Sequence, residues 1–195
     1  MSNTPSNMLA LGTKAPDFKL PNPSKNNELQ SLESLKGKKG TLIVFMCNHC
    51  PFVLHIIDKL EELYEDYKSQ GIEFIAINSN DVDRYPADSP EMMVDFVDER
   101  NIQFPYLYDE SQDVAKAYEA ACTPDFYFFD ENLSLIYRGQ MDDSRPGNQK
   151  EITGEDLIIA FENLLAGAEQ EDFQKPSLGC NIKWKAGNEP DYYGH

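Results

Sequence analysis

Thr41-Leu-Ile-Val-Phe-Met46-Cys47-Asn48-His49-Cys50-Pro51 runs from an apolar stretch of β-formers straight into two cysteines and a proline. A short apolar run without alternation reads as a strand buried on both faces, the habit of a parallel sheet. From Pro51 the period changes: Val53, Ile56, Ile57, Leu60, Leu63, Tyr64 and Tyr67 recur at helical spacing, with Asp58, Glu61, Glu62, Glu65 and Lys68 on the other face. Pro51 suits a first helical turn, where its missing N–H is harmless, and Gly71 closes the helix. Residues 72–77, Ile-Glu-Phe-Ile-Ala-Ile, predict the next strand, completing a βαβ unit with a right-handed crossover.

Further along, Ser89-Pro90 opens a helix carried by Met92, Met93, Phe96 and Val97. Phe104 to Tyr108 predicts a short strand and Asp113 to Ala121 a short helix. Phe126–Phe129 and Leu133–Tyr137 predict a hairpin across Asp130-Glu131-Asn132. Thr153 with Asp156 resembles a capping box for a last helix facing inward with Leu157, Ile158, Phe161, Leu164 and Leu165 and ending at Gly167. The fold class is therefore α/β: a βαβ unit, a helix–strand–helix insert, then ββα. One domain is expected over 1–195, with its core at about 15–167. Residues 1–40 carry one extended stretch near Phe18 and a Lys/Gly/Ser-rich connection, and residues 168–195 read as an irregular C-terminal tail.

Composition narrows the function. The chain has 195 residues with 17 basic against 34 acidic side chains, a formal charge of −17. Such a field repels phosphate backbones and anionic membrane surfaces, so neither nucleic acid nor membrane is an expected partner. The first ten residues show neither a basic nor an apolar leader region, and no apolar stretch reaches membrane-spanning length, so the expected compartment is the cytoplasm. Cysteines there are more often catalytic or metal-binding than structural. There are four: Cys47, Cys50, Cys122 and Cys180.

Cys47-Asn-His-Cys50 falls where the first core strand meets the long helix. A lone Cys-x-x-Cys is shared with zinc half-sites, but a tetrahedral zinc site needs two more ligands and no second spaced pair exists. At a helix start, unpaired N–H groups and the positive end of the macrodipole favour thiolate over thiol, and the thiolate is the nucleophile. The two-residue spacing lets the second sulfur close a disulfide within the first turn. The junction therefore points to a redox dithiol. No cofactor and no metal are expected.

With these motifs the chain resembles the thioredoxin superfamily over about Ala15 to Gly167. Besides the strand–Cys-x-x-Cys–helix unit, Cys122-Thr123-Pro124 before the strand at Phe126 matches that superfamily's cis-proline loop. Ala15-Pro16-Asp17-Phe18 looks like the entry motif of redoxins of the alkyl hydroperoxide reductase and thiol-specific antioxidant type, relatives of the peroxiredoxins. The helix–strand–helix insert fits them too. Cys47 to Pro51 and the segment Gly179-Cys-Asn-Ile-Lys-Trp184 are similar to a redoxin subgroup with the same Cys-Asn-His-Cys-Pro site. The resemblance implies a thioredoxin-like fold, a central mixed sheet flanked by helices. Two departures bear on activity: position 47 holds Cys where a peroxiredoxin has Thr or Ser, and the place of that family's catalytic Arg holds Cys122-Thr123-Pro124. The chain also lacks the Gly-Pro dipeptide of thioredoxin, having Asn48-His49.

The resemblance implies a thiol–disulfide oxidoreductase with Cys47 as nucleophile, Cys50 as the resolving thiol and Thr123-Pro124 docking an extended substrate segment. Its partners would be a protein or small-molecule thiol or disulfide and a cellular reductant. His precedes the second cysteine in protein disulfide isomerase as well, which implies that His49 steadies a Cys47 thiolate; Cys47 is expected to have the lower pKa and the more exposed sulfur. Two alternatives stand beside it: a thiol peroxidase with Cys50 as peroxidatic cysteine, and a non-catalytic metal- or partner-binding module using the same thiols. Cys122 is either a third redox thiol or a small loop residue. Cys180 is an expected additional resolving thiol, carried by a tail whose Ile182 and Trp184 anchor it to the body and bring Cys180 to the redox thiols. His55 reads as a helix-boundary residue and His195 as a chain end.

Overall fold

The computed structural model describes residues 3–193, so His195 and Gly194 lie outside the described residues. In chain order the elements are β1 (Thr4–Pro5), β2 (Lys19–Asn22), β3 (Glu28–Ser31), α1 (Leu32–Leu35), β4 (Gly40–Phe45), α2 (Pro51–Lys68), β5 (Ile72–Asn78), α3 (Pro90–Arg100), β6 (Tyr106–Tyr108), α4 (Asp113–Ala117), β7 (Cys122–Thr123), β8 (Asp125–Asp130), β9 (Leu135–Tyr137), α5 (Glu155–Ala166) and β10 (Leu178–Asn181).

β4 is the centre of a five-stranded sheet of order β6-β5-β4-β8-β9. It runs parallel to β5, from Gly40 opposite Ile72 to Phe45 opposite Ile77, and antiparallel to β8, from Gly40 opposite Asp130 to Phe45 opposite Asp125. β6 adds in parallel and β9 antiparallel. This mixed sheet with covering helices is the thioredoxin-like fold that the resemblance implies.

The strands read as unbroken apolar runs because both faces are covered. Leu42, Val44, Phe74, Ala76, Phe126 and Phe128 face the cluster formed with α2, α3 and α5. The alternate residues Ile43, Phe45, Ile75, Ile77, Tyr127 and Phe129 face a second cluster containing Phe18, Leu20, Leu32 and Tyr118. Tyr118 sits edge-on to Tyr127 at 5.7 Å between ring centroids, and tilted to Phe45 at 5.6 Å. In α2 the seven residues picked out by helical spacing, Val53 to Tyr67, are the buried ones.

Some boundaries differ from the sequence expectation, for local reasons. The first 40 residues hold a hairpin, β2 with β3, and the single-turn α1, capped reciprocally by Ser31 and Ser34. Elements this short carry too few residues for a period to show. The last helix has no Thr153 capping box: its N-cap is Gly154, and the Oδ2 of buried Asp142 accepts the Thr153 and Gly154 N–H groups at 2.8 and 2.7 Å. A cap supplied from twelve residues upstream leaves no local signature.

The largest correction concerns the irregular tail. Residues 178–181 form β10, sandwiched between β1 and β7 in a three-stranded sheet. Ile182 and Trp184 are buried in the second cluster. Gly179 is what permits the approach: a Cβ there would stand 2.0 Å from the Thr123 carbonyl oxygen. Ser177 Oγ donates to the Pro124 carbonyl at 2.8 Å beside it. Gly179→Ala is therefore expected to destabilise the protein by about 1–3 kcal/mol, the usual cost of overpacking. Urea unfolding measures it. A change indistinguishable from zero would mean that β10 does not press on the loop.

Candidate active site

β4 delivers the chain to the site. Phe45 is its last residue, the Met46 amide still donates to the Ile77 carbonyl at 3.0 Å, and Cys47 follows. Cys50 is the N-cap of α2 and Pro51 its first residue. β8 starts opposite Phe45, so the preceding loop is held against the two cysteines. Its Thr123–Pro124 peptide is cis. Thr123 touches both sulfurs: Cys50 Sγ donates to its carbonyl at 3.1 Å, and Cys47 Sγ lies 3.6 Å from its Oγ1.

On the sequence expectation Cys47 carries the more exposed sulfur of the pair; both residues are buried, at 1% and 0% exposure, so exposure does not separate them. The electrostatics run opposite to the sequence expectation. Contact with Cys47 pushes the Cys50 thiol down, to about 4. Burial opposes this, while Thr123, Cys180 and the Val53 N–H of the first helical turn support it. Cys47 is raised well above the ordinary value by its contact with Cys50, by burial and by the Asp88 charge. For Cys47 the contact with Cys50 and burial come first, and the Asp88 charge adds to them.

His49 faces that carboxylate. Its Nδ1 lies 2.7 Å from Asp88 Oδ2, a charge contact without well-directed hydrogen-bond geometry, and its ring lies parallel to that of Tyr85. Asp88 is fully buried and held from several sides. Its Oδ1 accepts the Asn48 N–H at 2.9 Å, its Oδ2 accepts Asn80 Nδ2 at 2.8 Å, and its backbone carbonyl accepts Asn78 Nδ2 at 2.8 Å. Tyr106 donates to Asn48 Oδ1 at 2.9 Å. Sequence reasoning missed Asp88, Asn80 and Tyr106. Asp88 sits in a turn, Pro86–Asp88, forty residues from the cysteines, with nothing local to separate it from a solvated acid.

Cys47, His49 and Asp88 place potential ligand atoms within 4.8 Å of one another. A tetrahedral ion with bonds near 2.1 Å spaces its ligands about 3.4 Å apart. The 2.7 Å contact of His49 with Asp88 is too short for two ligands of one ion, and it reads as an ion pair.

The remaining thiols separate. Cys122 is fully buried, its Sγ donates to the Pro124 carbonyl at 3.5 Å, and burial keeps it protonated by pushing its pKa well up. Cys180 lies in β10 with its Cα opposite that of Thr123, the residue whose carbonyl lies 3.1 Å from Cys50 Sγ. His55 lies within α2 and shares a 2.7 Å hydrogen bond with Ser144 Oγ. Behind the loop, Asp125 is fully buried; its Oδ2 accepts from the Ala121 N–H and the Tyr127 hydroxyl, and burial pushes it up to about 6.

The Asp88 contact raises the His49 pKa above the ordinary 6.5, with burial opposing. A folded-state value above the unfolded one contributes stability fully present below pH 6.5 and lost as the pH climbs through the raised value. The C2 proton of His49, followed by NMR, should titrate above 6.5 in the wild type and at a lower pH in Asp88→Asn. Equal midpoints in the two proteins would remove Asp88 as the cause.

Comparison with known proteins agrees with this geometry. The chain is 30% identical over 125 residues to a thiol-disulfide oxidoreductase ResA of Oceanobacillus iheyensis, covering 63% of this chain and 60% of that protein, so it spans less than two thirds of that relative's length. Among solved structures, a conserved protein from Geobacillus kaustophilus is 52% identical, with a TM-score of 0.92 over 95% of this chain and 97% of that one. The protein SMc02350 from Sinorhizobium meliloti 1021 is 46% identical, with a TM-score of 0.91 over 94% of this chain and 100% of that one. The family model Redoxin matches residues 10–157, most of the chain and all of the sheet that carries the cysteines, and the chain belongs to the redoxin family.

Proposed function

We propose that the protein is a thiol–disulfide oxidoreductase that cycles Cys47 and Cys50 between dithiol and disulfide. The carrying observation is the convergence of both sulfurs on Thr123, with Cys50 at 3.1 Å and Cys47 at 3.6 Å, at the start of α2. The activity named for the Oceanobacillus iheyensis relative supports the same reading. Four free cysteines fit work in a reducing compartment, and we propose the cytoplasm.

In the proposed reaction the reduced pair meets a substrate disulfide. Cys50, enclosed by Thr123, Cys180 and the α2 terminus, holds the negative charge and takes the Cys47 proton through their mutual contact. Cys47 attacks one substrate sulfur; the other leaves with the bonding electrons. Cys50 then gives its proton to the first departed substrate sulfur and attacks Cys47 Sγ; the Cys47–Cys50 bond closes, and the second substrate sulfur leaves with the bonding electrons and is protonated from solvent. One substrate disulfide is reduced to two thiols, and one protein dithiol is oxidised. A thiol reductant restores the pair by the reverse exchange. His49 assists by neutralising Asp88, whose charge otherwise opposes an anion on Cys47. The partner's extended segment is proposed to lie beside Pro124, in a groove lined by Phe52, Ile56, Phe126 and Leu178.

The peroxidase reading gains less support. Arg145 shares the groove with Pro124, but its guanidinium is engaged, donating to the Asp142 and Ser144 carbonyls and to Gln140 Oε1 rather than to the sulfurs. Such preorganised donors supply much of the rate in sites that stabilise developing charge. The purified protein with dithiothreitol should reduce a protein disulfide such as insulin's, and Cys47→Ser should lose that activity. Stopped-flow oxidation by hydrogen peroxide should proceed orders of magnitude below the diffusional ceiling of about 10⁸ M⁻¹s⁻¹. Peroxide consumption near that ceiling, with no insulin reduction, would make the protein a peroxidase instead.

A further inference from the structure

Cys180 belongs to neither half of the Cys47–Cys50 pair, yet the fold brings it to them with some precision. β10 pairs antiparallel with β7 so that Cys180 faces Thr123, the residue whose carbonyl accepts the Cys50 thiol at 3.1 Å. Directly opposed antiparallel residues hold their Cα atoms about 4.5–5.5 Å apart. Cys50 and Cys180 therefore flank one residue from two sides, and β10 packs against α2, the helix that Cys50 caps. Cys180 is half-buried against the same cluster that contains Cys47 and Cys50.

The strand carrying it is fastened to the site at both ends. Ser177 Oγ donates to the Pro124 carbonyl at 2.8 Å, and Gly179 lies against the Thr123 carbonyl. On the other side the Lys183 N–H donates to Asn80 Oδ1 at 2.9 Å, while Asn80 Nδ2 donates to Asp88 Oδ2 at 2.8 Å. Asn80 thus ties the tail to the carboxylate that faces His49. Trp184 and Ile182 anchor the segment in the second cluster. A bystander thiol on a surface strand would need none of this registration.

We propose that Cys180 is a third redox thiol and that its partner is Cys50, so that the oxidised protein exchanges between a Cys47–Cys50 and a Cys50–Cys180 disulfide. This rests on the reading of Cys47 and Cys50 as a redox pair. In the exchange, Cys180 loses its proton and its sulfur attacks Cys50 Sγ. The Cys50–Cys180 bond forms, the Cys47–Cys50 bond breaks, and its electron pair goes to Cys47, which takes up one proton. The step is an isomerisation and needs no outside oxidant or reductant. Burial and contact with the Cys50 anion together push Cys180 up to about 12 in the reduced protein. Once Cys50 is in a disulfide its charge is gone, and that part of the opposition is lifted. The outcome is a free Cys47 thiol while the oxidising equivalent is kept between Cys50 and Cys180, so Cys47 can engage a second partner before the protein is re-reduced.

The test uses the full chain, oxidised with diamide, quenched in acid, and mapped by non-reducing peptide mass spectrometry with free-thiol counting. In Cys47→Ser, which keeps three cysteines, oxidation should lower the count from three free thiols to one and yield a Cys50–Cys180 peptide pair. The wild type should yield both Cys47–Cys50 and Cys50–Cys180 pairs, a readout independent of whether the variant folds, and Cys180→Ser should yield Cys47–Cys50 alone. Three free thiols retained in Cys47→Ser, with only Cys47–Cys50 in the wild type, would overturn the proposal and leave the redox pair standing. A Cys50–Cys122 link in place of Cys50–Cys180 would overturn it equally. A wild type that forms no intramolecular disulfide would overturn both.

Discussion

Strand β4 hydrogen-bonds to a neighbour on each side along its whole length, parallel to β5 and antiparallel to β8, and the rest of the site follows from that double registration. With Phe45 opposite Asp125, the end of β4 and the start of β8 lie side by side. The two residues before β8 are Thr123 and Pro124, and those two residues past Phe45 are Met46 and Cys47. A one-residue slip would turn the whole apolar set to the wrong face of a sheet covered on both sides, so the register is strongly specified. The meeting of the cysteines with Thr123 is thus a consequence of core packing, with the helix terminus of α2 supplied by the same βαβ unit.

Enclosure then decides the chemistry. Burial opposes charge on every thiol in the site, and only contacts offset it. Cys50 collects them: the Cys47 thiol, Thr123, Cys180 and the Val53 N–H. Cys47 is pushed up by its contact with Cys50, by burial and by the Asp88 charge, and Cys122 is pushed up by burial in the core. The contacts thus favour the anion at Cys50 over the other thiols, and His49 and Asp88 form an ion pair beside it.

Much of the architecture was legible in the sequence, and the legible parts share a physical reason. The residues of α2 from Val53 to Tyr67 and the apolar runs at β4, β5 and β8 are long enough for their periods to show, and those of β4, α2 and β5 dictate the βαβ unit. Cys47 and Cys50 announced themselves by sitting at the period change. What was not legible depends on contacts between distant residues. Asp88 matters because Asn48, His49 and Asn80 come to it through space. The strand character of residues 178–181 depends on an open edge at β7 and on a glycine that fits beneath the Thr123 carbonyl, neither of which composition reveals. The lower pKa at Cys50 follows from which sulfur the donors reach, a matter of ångströms that spacing does not carry.

The central claim is that Cys47 and Cys50 form a two-electron redox couple enclosed by the fold. Its most direct measurement is an equilibrium titration of the protein in dithiothreitol redox buffers, with the Cys47–Cys50 disulfide and all free thiols quantified by mass spectrometry at each potential. A reversible couple predicts one two-electron transition, with the oxidised-to-reduced ratio changing tenfold per about 30 mV. Thiols at positions 47 and 50 that stay reduced across the range accessible to dithiols, or that are oxidised only irreversibly to sulfinic or sulfonic acid, would contradict it.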